Sequence, residues 1–316
     1  MGLVSIICPT YNEELFIDAC IQSVLAQNLP SEQWELLLVD GGSTDQTRTL
    51  IVPYLKRHTN IRLLDNPHRT VPYAMNIGIR AAQGEYVCRI DAHAAFPTNY
   101  ISTLLRYTNE LPNVANVGTA CITMPRNDSD KARAIAAVLS HKFGVGNSSF
   151  RIGVNKVTEV DTVPFGFFRR IVFDQVGLYD ERLTRNQDIE LNKRIALSGG
   201  KIYLIPDITC TYYARDTFSR LAQNNFANGK WNILTVYYTK TFRSLGLRHF
   251  IPLLFVLSLF TGISIALYLI VMSVIALRLS ATQDLHFGYV LWAFIVLHIC
   301  YGTGSLVGLL ELPFVK

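Results

Sequence analysis

The sequence predicts an α/β fold with a mostly parallel, Rossmann-like sheet, followed by a C-terminal segment of two transmembrane helices. Over residues 3–91, short apolar runs alternate with helical patterns, which is typical of parallel β-α-β units. Residues 250–277 and 287–310 contain no Asp, Glu, Lys or Arg. Each run exceeds the roughly 20 residues that a spanning helix needs. The alternative, two buried core helices, is less consistent with uncharged runs of this length.

Three predicted strands end on residues that could bind a ligand. The first strand leads to Pro9, the second ends at Asp40 before two glycines, and a later strand ends at Asp91. Strands joined by right-handed crossovers run in one direction, so their carboxyl ends lie along one edge of the sheet. Ligands of open α/β sheets bind in the crevice beyond that edge. We therefore expect these three residues to converge.

Periodicity, capping residues and turn signals predict the remaining elements. Pro53 is expected to interrupt its helix, because proline removes a hydrogen-bond donor and clashes with the preceding turn. Residues 144–153 are rich in Gly, Ser and Asn and are predicted to form a loop. The predicted elements are helices 14–27, 45–58 and 72–82, strand 61–64, helix 97–110, strand 114–123, helix 128–143, a helix opening near residue 188, and strand 201–205.

The basic residues near the two uncharged runs predict a membrane orientation. Lys240, Arg243 and Arg248 precede the first run and Lys316 follows the second, whereas the loop between the runs carries one basic residue, Arg278. The excess of positive charge outside the loop predicts that both flanks face the cytoplasm. The sequence thus predicts a multi-pass protein of the inner (cytoplasmic) membrane with its catalytic domain in the cytoplasm.

Charge and cysteine usage limit the classes of function. The net charge is only +5, which reflects bias near the membrane and does not predict nucleic-acid binding. Aromatic and basic residues interleave over residues 216–249, which suits amphipathic helices at the headgroup level. The six cysteines are scattered without a Cys-x-x-Cys pair, which argues against a zinc site and indicates free thiols in a reducing compartment.

Four motifs, taken together and in this order, resemble those of family 2 glycosyltransferases. The resemblance covers about residues 3–215 and implies a GT-A catalytic domain over residues 1–215. The rest of the chain is predicted to form interfacial helices at 216–249 and transmembrane helices at 250–277 and 287–310. With these two spans, the chain is similar to succinoglycan-type membrane glucosyltransferases of exopolysaccharide biosynthesis. The motifs are Pro9-Thr10-Tyr11-Asn12-Glu13-Glu14, Val39-Asp40-Gly41-Gly42-Ser43-Thr44-Asp45, Asn76-x-Gly78 and Asp91-Ala92-His93.

The resemblance implies a binding site for a UDP-sugar. The Asp40 carboxylate would accept a hydrogen bond from uracil N3–H, which cytosine lacks. From the residues alone, Asp40 could instead be a helix N-cap, and Tyr11 could be an exposed aromatic residue. Arg69 is a further candidate for the pocket lining. The donor-binding residues implied are Pro9, Thr10, Tyr11, Glu13, Asp40, Asn76 and Asp91.

Asp91 and His93 are the candidate ligands of a divalent metal, Mn²⁺ or Mg²⁺. Alternate residues of an extended backbone point the same way, so both side chains could reach one ion. In the family that the chain resembles, the ion bridges the two phosphates of the donor. The usual motif is Asp-x-Asp, and His93 takes the place of the second Asp. A carboxylate with an imidazole suits Mn²⁺ better than Mg²⁺.

Asp188 is the predicted catalytic base, on the resemblance to a family that carries an acidic residue at this helix start. Direct displacement at the sugar carbon needs one carboxylate to accept the proton of the acceptor hydroxyl. With a single base and an α-linked donor, the product is expected to be a β-glycoside. The alternative for Asp188 is an acid stabilised by the helix dipole. Glu190 is the second choice as base. Arg151, Lys230 and Trp231 are predicted contacts to the acceptor or the diphosphate, with an interfacial anchor as the alternative for the last two.

The resulting hypothesis is an inverting glycosyltransferase. It would transfer a sugar, expected to be glucose, from UDP to a polyprenyl-diphosphate-linked saccharide, with other polysaccharide-assembly enzymes as further partners. Two spans are too few to enclose a polysaccharide channel, so a processive synthase is disfavoured. One alternative is a polyprenyl-phosphate sugar synthase, whose phosphate acceptor needs no base. The other is a non-catalytic membrane scaffold with the same fold.

Overall fold

The computed structural model describes residues 2–146, 148–240, 249–259 and 261–315. It divides into two compact units, which we call the sheet unit and the helical unit. The predicted membrane orientation depends partly on Arg243, Arg248 and Lys316, which lie outside the described residues. The sheet unit comprises Met1–Cys121 and Gly153–Tyr212, and the helical unit comprises Ile122–Ile152 and Tyr213–Lys316.

The described residues form one sheet of nine strands, in the order β3-β2-β1-β4-β8-β6-β9-β5, with β7 also paired to β9. The apolar runs predicted as strands lie in this sheet, and β2 is buried along its whole length. The strands are β1 (Val4–Thr10), β2 (Trp34–Asp40), β3 (Ile61–Asp65), β4 (Tyr86–Arg89), β5 (Ala94–Ala95), β6 (Val114–Met124), β7 (Thr158–Glu159), β8 (Phe167–Arg169) and β9 (Lys201–Tyr213).

Strands β3, β2, β1 and β4 are parallel, as the sequence predicts. Their register places Thr10 of β1 opposite Asp40 of β2, and Ile7 of β1 opposite Arg89 of β4. The carboxyl ends of these strands therefore share one edge. β8 is antiparallel to both β4 and β6, so the sheet is mixed beyond β4. The predicted α/β fold class is confirmed, and the antiparallel strands are an addition that the periodicity did not predict.

Helices of the sheet unit cover the sheet, and Ile17, Ile21 and Tyr100 are among their buried residues. Pro53 was expected to interrupt its helix, but it lies inside an unbroken α2. Pro53 is exposed, so water can reach the carbonyl that its missing N–H leaves without a donor. The helices are α1 (Ile17–Leu25), α2 (Thr47–Arg57), α3 (Val71–Ala81), α4 (Tyr100–Glu110), α8 (Ile171–Val176) and α9 (Gln187–Leu197), with a 3₁₀ turn at Ser31–Gln33.

Cys121 and Cys210 form a disulfide between strands β6 and β9, so the expectation that every cysteine is a free thiol was wrong for this pair. Their Cα atoms lie 4.8 Å apart on neighbouring strands. The cysteines are 89 residues apart in sequence, and a search for closely spaced pairs could not detect them. Cys8, Cys20 and Cys88 are free and buried.

In the described part of the helical unit, two helices are long and apolar enough to cross a membrane, at Gly262–Gln283 and Phe287–Phe314. The first uncharged run contains two helices and not one, because a new helix begins after Thr261 in extended conformation. The helices are α5 (Asp130–Leu139), α6 (Lys142–Val145), α7 (Ser149–Ile152), α10 (Phe218–Thr239), α11 (Ile251–Ser258), α12 (Gly262–Gln283) and α13 (Phe287–Glu311), with a 3₁₀ turn at Leu312–Phe314.

Helix α10 packs closely along α13 through small residues. A Cβ atom added to Gly229 would overlap the carbonyl of Tyr301, and one added to Gly304 would overlap the carbonyl of Phe226. Ser305 donates a hydrogen bond to the carbonyl of Gly229 at 3.1 Å. The Gly-x-x-x-Gly pattern of α13 therefore permits close approach of the two backbones.

Helix α5 contacts the loop between the two long apolar helices. Arg133 Nη2 donates to the carbonyl of Asp284 at 2.8 Å, and Lys131 Nζ lies 6.0 Å from the ring centre of Tyr289. Within the helical unit, the charged start of α5 and the loop between α12 and α13 are therefore at the same end.

Candidate active site

A cavity lies at the carboxyl edge of the parallel strands in the sheet unit. Its walls come from the ends of β1 and β2, the start of α3, and the segment after β4. The structure thus brings together most of the residues predicted from the motifs. The predicted residues that line it are Pro9, Thr10, Tyr11, Glu13, Arg69, Asp91 and His93.

The loops that follow β1 and β2 are joined by reciprocal hydrogen bonds. The Asn12 backbone N–H donates to Ser43 Oγ at 2.9 Å, and Asn12 Oδ1 accepts from the N–H of Thr44 at 2.9 Å. The N–H of Glu13 donates to Thr47 Oγ1 at 2.8 Å. Asn12 adopts a positive φ of 52°, which Asn tolerates better than most residues. The polar residues of the second motif therefore fix the first motif in place.

Asp40 is fully buried at the end of β2 and its carboxylate is engaged by its own turn. Asp40 Oδ2 accepts from the N–H groups of Gly42 at 3.2 Å and Ser43 at 3.1 Å, and it lies 3.3 Å from Arg48 Nη1. Gly42 has a φ of +77°, which explains the glycine. Val39, and not Asp40, is among the residues that line the cavity. These contacts belong to a turn, because α2 begins only at Thr47 with Gln46 at its N-cap, so Asp40 is not a helix N-cap. The uracil contact stays a prediction.

Tyr11 and Arg69 form the mouth of the cavity. The Arg69 guanidinium lies 5.8 Å from the centre of the Tyr11 ring, a cation–π contact. Tyr11 is 41% exposed, so much of its surface is available to a ligand. An exposed aromatic ring can stack on a nucleobase of any identity. A cation beside it suits a ligand that carries phosphate.

His93 and Asp91 both line the cavity and each is held by a charged neighbour. His93 Nδ1 lies 3.0 Å from Glu13 Oε1, so Glu13, a predicted donor-binding residue, orients the imidazole. Arg89 Nε lies 3.1 Å from Asp91 Oδ1, and Arg89 Nη2 lies 3.3 Å from Asp91 Oδ2. Both predicted metal ligands are therefore fixed by a second side chain, as ligands of metal sites usually are.

The residues fit a divalent ion whose coordination is completed by the donor. Among the residues that the structure describes, no group of three or more His, Cys, Asp or Glu side chains could hold an ion. Asp91 and His93 could supply two ligands, and Mg²⁺-like ions are often bound by few protein ligands together with substrate phosphates. When bound, the ion would neutralise charge on the departing diphosphate.

Arg89 is a residue of the site that the sequence reasoning missed. It is 7% exposed, and its Nη1 lies 3.8 Å from Asp188 Oδ2, so one guanidinium contacts both Asp91 and Asp188. Burial alone would lower the pKa of Arg89, but the two carboxylates together raise it above its ordinary value. The available signal was a cation inside an apolar strand, two residues before Asp91.

Asp188 lies in the first turn of α9, and its side chain is 36% exposed. Asn186 precedes the helix in the left-handed conformation, with a φ of 60°. Glu190, the second choice as base, is paired through both oxygens with Arg194 at 2.7 Å. Of the two acids, Asp188 is the one whose side chain is more open to an acceptor.

Asn76 is not among the residues that line the cavity, and its donor contact stays a prediction. Its Nδ2 donates to the carbonyl of Tyr179 at 2.9 Å and to Glu181 Oε1 at 2.8 Å, and its Oδ1 accepts from the Tyr179 N–H at 2.9 Å. The other motif residue, Gly78, lies where a Cβ atom would be 2.5 Å from Ile7. This motif therefore fixes α3 against β1 and against the segment before α9.

The three predicted contacts to acceptor or diphosphate belong to the helical unit. Lys230 Nζ lies 2.6 Å from Glu311 Oε2, which joins α10 to the end of α13. The Trp231 ring stacks on Tyr238 with the ring centres 6.4 Å apart. Arg151 Nη1 donates to Thr123 Oγ1 at 3.2 Å. Their ligand contacts stay predictions.

Comparison with known proteins places these observations in a family. Residues 5–177 match the profile of Glycosyl transferase family 2. The chain is 30% identical over 321 residues, 98% of both chains, to dolichyl N-acetyl-alpha-D-glucosaminyl phosphate 3-beta-D-2,3-diacetamido-2,3-dideoxy-beta-D-glucuronosyltransferase of Methanococcus voltae. It is 31% identical over 252 residues to succinoglycan biosynthesis protein ExoA of Rhizobium meliloti, covering 78% of this chain and 74% of the relative.

Two solved structures share the fold. The mannosyltransferase PcManGT of Pyrobaculum calidifontis, in complex with GDP-Man and Mn²⁺, superposes with a TM-score of 0.65 at 18% identity, over 96% of this chain and 87% of that one. S. aureus TarS 1–349, in complex with UDP-GlcNAc, gives a TM-score of 0.56 at 15% identity, over 96% and 90% of the two chains. At these identities the similarity shows the fold alone.

Proposed function

Because the chain belongs to glycosyl transferase family 2, we propose that it transfers a sugar from a UDP-sugar to a lipid-linked saccharide, with inversion, at the cytoplasmic face of a membrane. The observation that carries this proposal is the pair of ionic contacts from Arg89 to Asp91 and Asp188. These contacts connect Asp91, which lines the cavity and is predicted to lie beside the diphosphate, with Asp188, the predicted base.

In the proposed reaction, the Asp188 carboxylate accepts the proton of the acceptor hydroxyl. The acceptor oxygen attacks the anomeric carbon, and the bond from that carbon to the diphosphate oxygen breaks on the opposite side. An α-linked donor therefore gives a β-glycoside. Tyr11 and Arg69 hold the nucleotide at the cavity mouth, and Asp91 with His93 lies beside the diphosphate.

The relatives favour a lipid-linked acceptor. The Methanococcus voltae enzyme is named for a dolichyl phosphate-linked sugar acceptor, and the Rhizobium meliloti protein is named for succinoglycan biosynthesis. We propose a polyprenyl-diphosphate or polyprenyl-phosphate carrier and a glucose-type donor, in a pathway that builds a cell-surface polysaccharide. The two apolar helices and these relatives support attachment to the membrane. Arg151, Lys230 and Trp231 stay proposed contacts to the acceptor or diphosphate.

A panel of radiolabelled UDP-sugars and lipid acceptors tests the proposal. Membranes containing the protein are incubated with UDP-glucose, UDP-glucuronic acid or UDP-N-acetylglucosamine, and with polyprenyl phosphate or with a saccharide on a polyprenyl phosphate or diphosphate. We expect label on a saccharide acceptor only. Label on bare polyprenyl phosphate, with activity retained in Asp188→Asn, would establish the synthase alternative. An absence of transfer with every UDP-sugar would contradict the proposal.

A reporter fused after Lys316 tests the proposed orientation. We expect a cytoplasmic signal, because basic residues flank both uncharged runs. Arg133, within the range predicted as the cytoplasmic domain, contacts the loop between α12 and α13. Two membrane crossings would place that loop on the opposite face, so a second reporter is needed there. A reporter inserted after Asp284 should read as non-cytoplasmic if both helices cross the membrane. Cytoplasmic signals at both positions would show that the helix pair enters the membrane and returns to the same side.

A further inference from the structure

Arg89 is a buried cation at the end of a strand whose other residues are apolar. It follows Tyr86-Val87-Cys88, which are all buried, and it is the last residue of β4. A buried charge is costly unless it is paired, so a guanidinium here needs carboxylate partners. Both partners are residues to which the proposed function gives a chemical role.

The contacts of Arg89 differ between the two carboxylates. Its Nε and Nη2 approach both oxygens of Asp91, at 3.1 and 3.3 Å, which is the planar two-point contact that arginine makes with carboxylates. Its Nη1 lies 3.8 Å from one oxygen of Asp188, a longer ion pair. Asp91 is therefore held in a fixed orientation, whereas Asp188 is held near the guanidinium with freedom to receive a proton.

Tyr179, in the segment before α9, also interacts with the Arg89 guanidinium. Tyr179 is buried, and burial raises the pKa of its hydroxyl above the ordinary value. Arg89 acts on the same hydroxyl in the opposite direction, by its charge and by a side-chain hydrogen bond that lower the pKa, while the charges of Asp188 and Asp91 raise it. The backbone of Tyr179 is held on both sides by the buried Asn76 side chain.

We propose that Arg89 is a positioning residue that sets the separation of Asp91 and Asp188, and that Asn76 supports it by anchoring Tyr179. This inference rests on the function proposed above. It assigns Asn76 to the base side of the site, in place of the donor pocket. Arg89 contacts neither substrate, and its effect on turnover passes through the two carboxylates. A lysine at this position keeps the charge but lacks the planar fork that fixes both oxygens of Asp91.

A double-mutant cycle separates positioning from a general loss of structure. Arg89→Met should lower kcat about 100-fold, with the donor KM within about threefold of wild type. The kcat of Arg89→Lys should lie between those of Arg89→Met and the wild type. In an Asp188→Asn background, Arg89→Met should lower kcat by only about tenfold, because the part of its effect that passes through Asp188 is already lost while the part that passes through Asp91 remains. The control is Arg57→Met, on the exposed end of α2. Equal losses in both backgrounds would overturn the proposal.

Hydrogen exchange tests the same inference without substrate. In the full-length protein in detergent, Arg89→Met and Asn76→Ala should each raise amide exchange over residues 178–190 at least tenfold, with little change over β1 and β2. Arg57→Met should leave this segment unchanged. If Arg89→Met does not fold, Arg89→Lys replaces it in both experiments. Unchanged exchange at 178–190 would overturn the proposal even if the wild type is an active transferase. Raised exchange with no transfer from any UDP-sugar would contradict only the proposed function.

Discussion

The sheet unit and the helical unit differ in how far residue patterns predict contacts. In the sheet unit, residues from motifs up to 80 positions apart, such as Glu13 and His93, meet at one edge of the sheet. In the helical unit, composition indicates apolar helices, but the contacts between them, such as Lys230 with Glu311, have no visible signal. The carboxyl ends of parallel strands lie at one edge of the sheet, so strand order predicts which residues meet there. The hydropathy of a helix does not predict which of its faces contacts a neighbouring helix. The predictions below test the chemistry proposed for the sheet unit and the close packing in the helical unit.

The largest effect is expected for the base. Asp188→Asn should lower kcat by about 10³-fold, within the range for loss of a general base, while the donor KM changes little. The matched control is Asp174→Asn, an exposed acid in the first turn of α8. The measurement is initial-rate transfer of labelled sugar to the lipid acceptor. Activity within tenfold of wild type in Asp188→Asn would remove the base from this position.

A somewhat smaller effect is expected at the diphosphate side. Chelation with EDTA should abolish transfer and Mn²⁺ should restore it best, because a carboxylate with an imidazole suits Mn²⁺. Asp91→Asn should lower kcat about 100-fold and raise the Mn²⁺ concentration needed for half-maximal rate. Binding of Mn²⁺ in the presence of UDP, followed by electron paramagnetic resonance, gives a readout apart from turnover. Full activity after chelation would contradict the role of Asp91.

Substitution of Asp40 distinguishes two roles for its carboxylate, a contact to the nucleotide and a purely structural role in the turn. If the carboxylate accepts from uracil, Asp40→Ala should raise the donor KM about tenfold, since a hydrogen bond to a charged group contributes about 1.5–3 kcal/mol. The control is Ser43→Ala, which removes the Ser43 hydroxyl that donates to Asp40 Oδ1 in the same turn. An unchanged donor KM with a lowered melting temperature would assign Asp40 to the turn alone.

In the helical unit no effect on the chemical step is expected, and the predicted effect is on stability. Gly229→Ala should destabilise the protein by about 1–3 kcal/mol, because the new Cβ overlaps the Tyr301 carbonyl. Gly262→Ala is the matched control, since a Cβ there would meet no atom within 4 Å. Thermal unfolding in detergent compares the two. Equal melting temperatures would contradict the close packing of α10 on α13.

The sequence predicted the sheet edge but not the contacts that organise it. Strand direction suffices to bring Pro9 and Asp91 to one cavity, because topology alone fixes that edge. The role of Asn76 could not be predicted, because its partner Tyr179 follows 103 residues later. Arg89 was missed for the same reason, since its contact with Asp188 depends on how α9 is placed.

The helical unit shows the limit of composition in a different way. The charge count over residues 250–277 treats that run as one segment, but an extended Thr261 separates α11 from α12. Thr261 is polar but uncharged, so a count of charged residues does not detect the break between the two helices. The contact of α5 with the loop before α13 was also not predicted, because it joins residues 150 or more positions apart.

The anomeric configuration of the new linkage tests the central claim most directly. The wild-type protein is supplied with the α-linked UDP-sugar that gives transfer, and the product is released from its lipid and analysed by nuclear magnetic resonance. A single displacement assisted by Asp188 predicts a β-linkage in all of the product. An α-linkage would contradict the account, because retention requires a second displacement or a different path for the leaving group.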